Sequence, residues 1–343
     1  MKESTIKIVL VGCGGISRAW VKPLLERKDT VLSGLVDINR QAAEKLASQF
    51  NLGAVPIATD LAGLLKTVKP DVVFDCTTPE SHYAVAMTAF RHGCHVLAEK
   101  PMADTLAHAR TLVETAGKKR KVYAVIQNRR YSRWIRGIVR LVRSKKLGTL
   151  TTLTSDFFIG AHFGGFRDHM KHVLLLDMAI HTFDAARFIS GADPVSVFCR
   201  EWNPAGSWYD HDACAIALFE MSGSLIYSYR GSWCAEGMNT SWESTWRLVG
   251  TRGSALWDGG SNCQAERVKG KTGFKREIEK VAVDFSDIPG LLEGHAGLID
   301  EFLNCVRRGK KPLTAGEDNI KSLAMVLAAI ESSQKNKPVK VNW

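Results

Sequence analysis

The 343-residue sequence contains no apolar run approaching the roughly 18 to 20 residues of a membrane span, so no membrane partner is expected. Its first apolar stretch, Ile6 to Val11, is too short and too promptly followed by glycines to form the core of a secretory signal. Cysteine occurs eight times but never as a CxxC pair, which argues against a zinc site or a disulfide framework and for reduced thiols in a cytoplasmic protein. No internal repeat or low-complexity tract interrupts an ordinary globular composition. Acidic charge is the scarcer sign, 35 Asp and Glu against 46 Lys and Arg, a net charge of +11. That balance raises the question of nucleic acid, as do Lys118-Lys119-Arg120-Lys121 and the arginines at 133, 136, 140 and 143. Those arginines, however, form one stripe of a helix whose other face is Trp134, Ile135, Ile138, Val139 and Val142. Exposed aromatics and a recognised nucleic-acid module are both missing, so the stripe reads as a solvated face and no nucleic-acid partner is expected.

What is present is a glycine turn between a strand and a helix. Ile6 to Val11 reads as a strand, Gly12-Cys13-Gly14-Gly15-Ile16-Ser17 as the turn, residues 16 to 27 as a helix, and Val31 to Val36 as a second strand ending in Asp37. Gly12 permits a tight turn, Gly14 lets phosphates approach the backbone, and free N–H groups at the helix start favour an anion. Ser17 replaces the usual third glycine. Asp37 lies about 20 residues beyond the turn, where a dinucleotide-binding unit uses an acid on the adenosine ribose hydroxyls. An unmodified ribose suits that acid better than a 2′-phosphate, so NAD is expected and NADP is the less favoured cofactor, with Arg40 the one nearby cation able to change this.

Strands and helices alternate through the first 127 residues: a helix from about Thr59-Asp60, a strand at 71–76, a helix at 80–92, a strand at 95–98, a helix at 104–116 and a strand at 122–127. This is the pattern of a doubly wound parallel sheet. Polar residues sit at the strand carboxyl ends, including Thr77, Thr78, Pro79, Glu99, Lys100 and Gln127-Asn128-Arg129. From residue 128 the texture changes. After the Arg-rich helix come a strand at 149–159, a helix at 174–189, five strands (195–202, 212–221, 224–233, 243–249, 279–285) and helices at 295–308 and 317–335. Successive strands imply hairpins, so residues 128–343 read as an α+β domain on a largely antiparallel open sheet.

Two further groups carry chemistry. Glu99-Lys100-Pro101 follows a strand and places an ammonium at the sheet edge where a nicotinamide would lie. Asp177 and His181, four apart on a helix, share a face, so the carboxylate can orient the imidazole. Taken singly, Lys100 reads as a solvated lysine and the Asp–His pair as a surface or core contact; behind a dinucleotide turn they form a set. The tryptophans at 202, 208, 233, 242 and 246 suit sugar stacking but at strand spacing read first as core or subunit-interface residues.

With these motifs in place, the chain resembles the glucose-fructose oxidoreductase, inositol dehydrogenase and MocA-like family over nearly its whole length. The resemblance rests on Gly12-Cys13-Gly14-Gly15-Ile16, Thr78-Pro79 with His82, Glu99-Lys100-Pro101, Arg129-Arg130-Tyr131 and Asp177 to His181. It implies a Rossmann domain, a second domain used in homodimers or homotetramers, and NAD-dependent hydride transfer at a secondary hydroxyl of a sugar, cyclitol or related polyol. By the same resemblance Lys100 would stabilise the substrate alkoxide, His181 would exchange the hydroxyl proton, and Asp177 would hold the substrate or the histidine. Gly12, Gly14, Gly15, Ile16, Ser17, Asp37, Thr77, Thr78, Pro79, His82 and Glu99 would serve the cofactor. Two alternatives share the framework: an NAD-using glycoside hydrolase, and a non-catalytic dinucleotide sensor, against which Lys100, Asp177 and His181 together argue.

The sequence departs from its relatives just before the Asp177 helix, where Lys171-His172-Val173 replaces a glycine triplet. Asn128, Arg129, Arg167, His169 and His172 are expected to bind substrate, Arg167 alternatively pairing with Asp168 or a neighbouring subunit. His162, His169, His172 and Asp168 are too irregularly spaced for a metal site, and none is expected.

Overall fold

The computed structural model describes residues 5–286 and 290–343, which divide into two compact units. The first opens with β1 (Ile6–Val11), α1 (Ser17–Leu25), β2 (Thr30–Val36), α2 (Arg40–Gln49), β3 (Ile57–Ala58) and α3 (Leu61–Val68). It continues with β4 (Val72–Asp75), α4 (Pro79–Arg91), β5 (His95–Ala98), α5 (Leu106–Lys118) and β6 (Tyr123–Val125). Among the described residues these strands form a six-stranded sheet in the order β3-β2-β1-β4-β5-β6, every pair parallel. The order reverses between β1 and β4, and in such sheets the ligand crevice lies outside the strand carboxyl ends at that reversal. Near-continuous apolar strands such as Ile8-Val9-Leu10 and Val72-Val73-Phe74 are buried because helices cover both faces. Asp60 caps α3 by accepting from the backbone N–H groups of Ala62 and Gly63. The polar stretch forming α2 and the two-residue β3 are additions to the elements expected from sequence.

The second unit begins at Arg129 and contains α6 (Arg133–Arg143), β7 (Leu150–Phe158), α7 (Ile180–Ser190), β8 (Pro194–Trp202), β9 (Cys214–Met221) and β10 (Leu225–Ser232). Four short strands follow: β11 (Thr245–Gly250), β12 (Gly253–Trp257), β13 (Cys263–Val268) and β14 (Ile278–Lys280). The chain ends in α8 (Gly294–Arg308), α9 (Gly316–Lys335) and β15 (Val339–Lys340). A nine-stranded sheet runs β14-β13-β12-β11-β7-β10-β9-β8-β15 among the described residues. It is antiparallel apart from the β7–β10 pair. The expected α+β unit is thus present, with β12 and β13 added between the expected strands.

Residues 292–320 differ from the expected division. They belong to the first unit rather than the second, because α8 packs on α1. Arg27 reaches Asp300, Arg307 reaches Asp29, and Phe302 lies edge-on to Phe74 with ring centroids 6.2 Å apart. Ion pairs and ring contacts between segments so distant in sequence leave no local pattern to read. No helix among the described residues is long and apolar enough to cross a membrane.

Candidate functional site

The glycine turn has one closed side and one open side. Gly12 has φ +86°, and a Cβ there would lie 2.6 Å from the carbonyl carbon and oxygen of Cys76, so only glycine fits against the end of β4. At Gly14 and Gly15 an added Cβ meets nothing within 4 Å. That space, at the start of α1, is what a diphosphate needs to reach backbone N–H groups. Ser17 is fully buried and its hydroxyl donates to Gly14 O at 2.6 Å, so its side chain braces the turn.

Asp37, at the carboxyl end of β2, accepts from Cys13 N at 2.7 Å and from Asn39 N at 2.8 Å. The carboxylate is therefore held against the turn, each oxygen keeping a further lone pair for ribose hydroxyls. Arg40, the cation that could receive a 2′-phosphate, instead pairs with Glu44 at 2.9 Å and donates to Ile57 O at 3.3 Å. The open turn at the start of α1 and the oriented acid together fit a dinucleotide with an unmodified ribose.

The loops after β4 and β5 are joined by buried polar groups. His82 is fully buried, with Nδ1 2.8 Å from Pro101 O and Nε2 3.0 Å from Thr77 O. Both ring nitrogens thus sit against backbone carbonyl oxygens, one from each loop. Asp75, also fully buried, lies close enough to feel the charge of that ring. Burial pushes the Asp75 carboxyl above its ordinary range, against the charge of His82 and hydrogen bonds from Thr77 Oγ1 at 2.6 Å and Thr77 N at 3.1 Å. His82 therefore ties the two loops together. Glu99, also buried, accepts from Trp20 Nε1 at 2.9 Å and Lys100 N at 3.2 Å, fixing the backbone that carries the half-buried Lys100. Asn128 lies 3.2 Å from His295 Nδ1, and His295 Nε2 lies 4.0 Å from Glu99. Asp75, Trp20 and His295 were not expected from sequence; the only local signal was an acid closing the apolar run Val72-Val73-Phe74.

In the second unit the chain reaches α7 through a π-helical turn, Leu174–Ala179, a wide turn frequent at functional sites. Asp177 sits on it, buried, and His181 follows in the first turn of α7, half-buried. Arg167 Nε donates to Asp177 Oδ2 at 2.8 Å. Its guanidinium also lies over the rings of Phe163 and Phe166, 5.1 and 4.8 Å from their centroids. Within this chain the partner of Arg167 is thus not Asp168 but the expected catalytic acid itself.

The neighbouring histidines each have their own carboxylate. His169 Nδ1 lies 2.6 Å from Asp210, and His162 Nε2 lies 2.7 Å from Glu236. His172, at φ +54°, places Nδ1 2.9 Å from Glu201, whose hydrogen bond raises the imidazole pKa. Among the described residues no group of three or more His, Cys, Asp or Glu is placed to hold a metal ion. Arg129, expected at the substrate, is buried 3.6 Å from the carboxylate of Glu243. Burial lowers its pKa and raises that of Glu243, so the pair belongs to the interior. Arg130 clamps Asp184 of α7 with two hydrogen bonds of 2.7 and 2.6 Å, and Ser322 donates to the same carboxylate at 2.7 Å. This network holds the helix that presents His181.

Residues 6–127 match the oxidoreductase family with an NAD-binding Rossmann fold, and residues 140–341 match the C-terminal alpha/beta domain of the same family. The chain belongs to this family. It is an NAD-binding oxidoreductase. An uncharacterized protein of Sinorhizobium fredii, y4oX, is 28% identical over 98% of this chain and 96% of its own length. Inositol 2-dehydrogenase of Rhizobium meliloti is 23% identical over 98% of this chain and 99% of its own. Among solved structures, an oxidoreductase from Agrobacterium radiobacter, in complex with NAD+, L-tartaric acid and magnesium, superposes with a TM-score of 0.86 at 21% identity. It covers 98% of this chain and 99% of that one, a likeness of fold.

Proposed function

We propose that this family member oxidises a secondary hydroxyl of a sugar, cyclitol or related polyol with NAD, in a reversible reaction. The observation that carries the reading is Lys100 on a loop braced by Glu99 and His82, in a chain that also presents Asp177 and His181 at a π-to-α junction. NAD, when bound, supplies the hydride acceptor. The protein does the rest. His181 takes the hydroxyl proton as the C–H bond breaks, the task of a group whose ordinary pKa is near 6.5. Lys100 stabilises the developing alkoxide with its positive charge. Asp177 orients the histidine or holds a substrate hydroxyl, and Arg167 holds Asp177.

The remaining expected cofactor residues are assigned to Gly12, Gly14, Gly15, Ile16, Asp37, Thr77, Thr78 and Pro79. The first compact unit, with residues 292–320, is proposed as the dinucleotide domain and the second unit as the substrate domain. A cytoplasmic location is supported by eight free cysteines. A homodimer or homotetramer is supported by apolar side chains on one face of the nine-stranded sheet: Phe198, Ile216, Leu218, Ile226 and Leu256 are each 37 to 47% exposed. Screening sugars and cyclitols for NADH formation tests the reading. Accumulation of NADH with one of them supports it; release of free sugar from glycosides without NADH accumulation refutes it.

A further inference from the structure

Two basic runs take no part in the turn or in the Asp177–His181 segment, and the fold of the first unit brings them together. Lys118–Lys121 ends α5, and Arg307–Lys311 ends α8. Between them a pocket of about 370 Å³ opens at the amino ends of β5 and β6. Because the sheet is parallel, this is the edge opposite the glycine turn, which follows the carboxyl end of β1.

Arg120, Lys121, Lys310 and Lys311 line the pocket against a single lining carboxylate, Glu317. Lys311 takes that carboxylate at 2.6 Å, which leaves three cations facing the pocket without an acid of its lining. Like charges gathered around a concave, partly apolar wall concentrate a positive potential, and an anion relieves their mutual repulsion. The wall is built rather than incidental. Arg120, in the left-handed region at φ +52°, and Lys121 donate their backbone N–H groups to Gly117 O and Ala116 O at 3.0 and 2.9 Å, closing α5 and satisfying those carbonyls. Gly316, the first residue of the 20-residue α9, also lines the pocket; a Cβ there would lie 2.7 Å from the Tyr123 ring. Gly316 and Glu317 thus bring the start of α9 to the pocket, where the positive end of a helix favours an anion. His95 adds an uncharged donor. Its Nδ1 accepts from Val122 N at 2.8 Å, so the ring proton is on Nε2, and burial with the nearby Lys121 charge lowers its pKa to about 4.

We propose that this pocket binds a compact phosphorylated anion, a diphosphate or a phosphomonoester, at a site separate from the dinucleotide turn. Several donors converging from different directions suit a tetrahedral group with many acceptor oxygens and at least two negative charges. Apolar walls from Val113, Val122 and Tyr123 leave room for an organic remainder.

The test is calorimetric titration of the full chain, saturated with NADH, with inorganic pyrophosphate and with glucose 6-phosphate, against sodium sulfate at matched ionic strength. One equivalent of either phosphate should bind, and Lys310→Gln and Lys121→Gln should each weaken it about fivefold or more. Tighter binding of glucose 6-phosphate identifies an organic phosphate as the ligand class, and tighter binding of pyrophosphate an inorganic one. Lys310 is exposed, so its substitution leaves the fold intact and keeps the test decisive. The proposal is overturned by no binding of either probe to the NADH-saturated chain, by affinity that neither variant changes, or by sulfate binding as well as the phosphates.

Discussion

Replacing Arg167 by methionine removes the guanidinium that Asp177 accepts from at 2.8 Å while keeping an apolar side chain between Phe163 and Phe166. The acid is 8% exposed and the arginine 30% exposed, so the change removes a charged hydrogen-bond donor from a buried carboxylate. Removing one partner of a fully buried pair costs about 3–5 kcal/mol, and water reaching the vacated arginine side brings the expected loss of stability to about 2 kcal/mol. Urea denaturation at neutral pH measures it. In catalysis the two roles open to Arg167 separate cleanly. If it holds Asp177 in place, kcat falls by roughly 10- to 100-fold with little change in KM, because the geometry of the reacting groups is lost. If it contacts the substrate in ground and transition states alike, KM rises and kcat is kept. Arg167→Lys keeps the charge but not the planar, directional donor, and should fall between methionine and the parent. Unchanged stability together with unchanged kcat and KM in Arg167→Met would refute the assignment of Arg167 as the positioning residue of Asp177.

Cofactor choice should follow Asp37: the protein should favour NAD over NADP in kcat/KM, and Asp37→Ser should narrow the ratio by at least about tenfold by removing the carboxylate that repels a 2′-phosphate. Equal efficiency with both cofactors in the parent would contradict the role. The rate of oxidation should rise with pH through one ionisation near neutrality, and that limb should disappear in His181→Asn. Its survival in the folded variant would assign the proton to another group. His172 has a pKa raised above 6.5 by Glu201, so its stabilising contribution is complete below about 6.5 and is lost as pH rises through the raised value. The Tm of the parent should therefore fall more steeply than that of His172→Gln across this range, and parallel curves would show that the pair does not contribute.

The parts of the molecule readable from sequence were those set by neighbours in the chain. Gly12, the apolar β1 and the acid ending β2 form one local unit, and β5 begins and ends where its pattern of residues places it. α2 was not readable because its sequence, Arg-Gln-Ala-Ala-Glu-Lys-Leu-Ala-Ser-Gln, buries only Ala43 and Leu46 and so carries little apolar period. The π turn was hidden for the opposite reason: Leu174-Leu175-Leu176 fits any buried helix, and the turn width follows from packing. Burial decided the remaining differences. Ser17, His82 and Arg129 are polar residues of the types that bind ligands, yet each is turned inward, Ser17 against a carbonyl of its own turn and His82 and Arg129 against a carbonyl and a carboxylate from other segments. The pairing of Arg167 with Asp177 spans a loop and a change of helix type, and nothing in spacing alone singles it out over Asp168.

The central claim, that Lys100 acts on the reacting oxygen in an NAD-dependent oxidation, is tested most directly by Lys100→Met. With the substrate found by screening, turnover should fall by about two orders of magnitude or more while the affinity for NADH, followed by its fluorescence, stays within about twofold of the parent. A folded Lys100→Met protein that turns over at a rate close to the parent's would contradict the account.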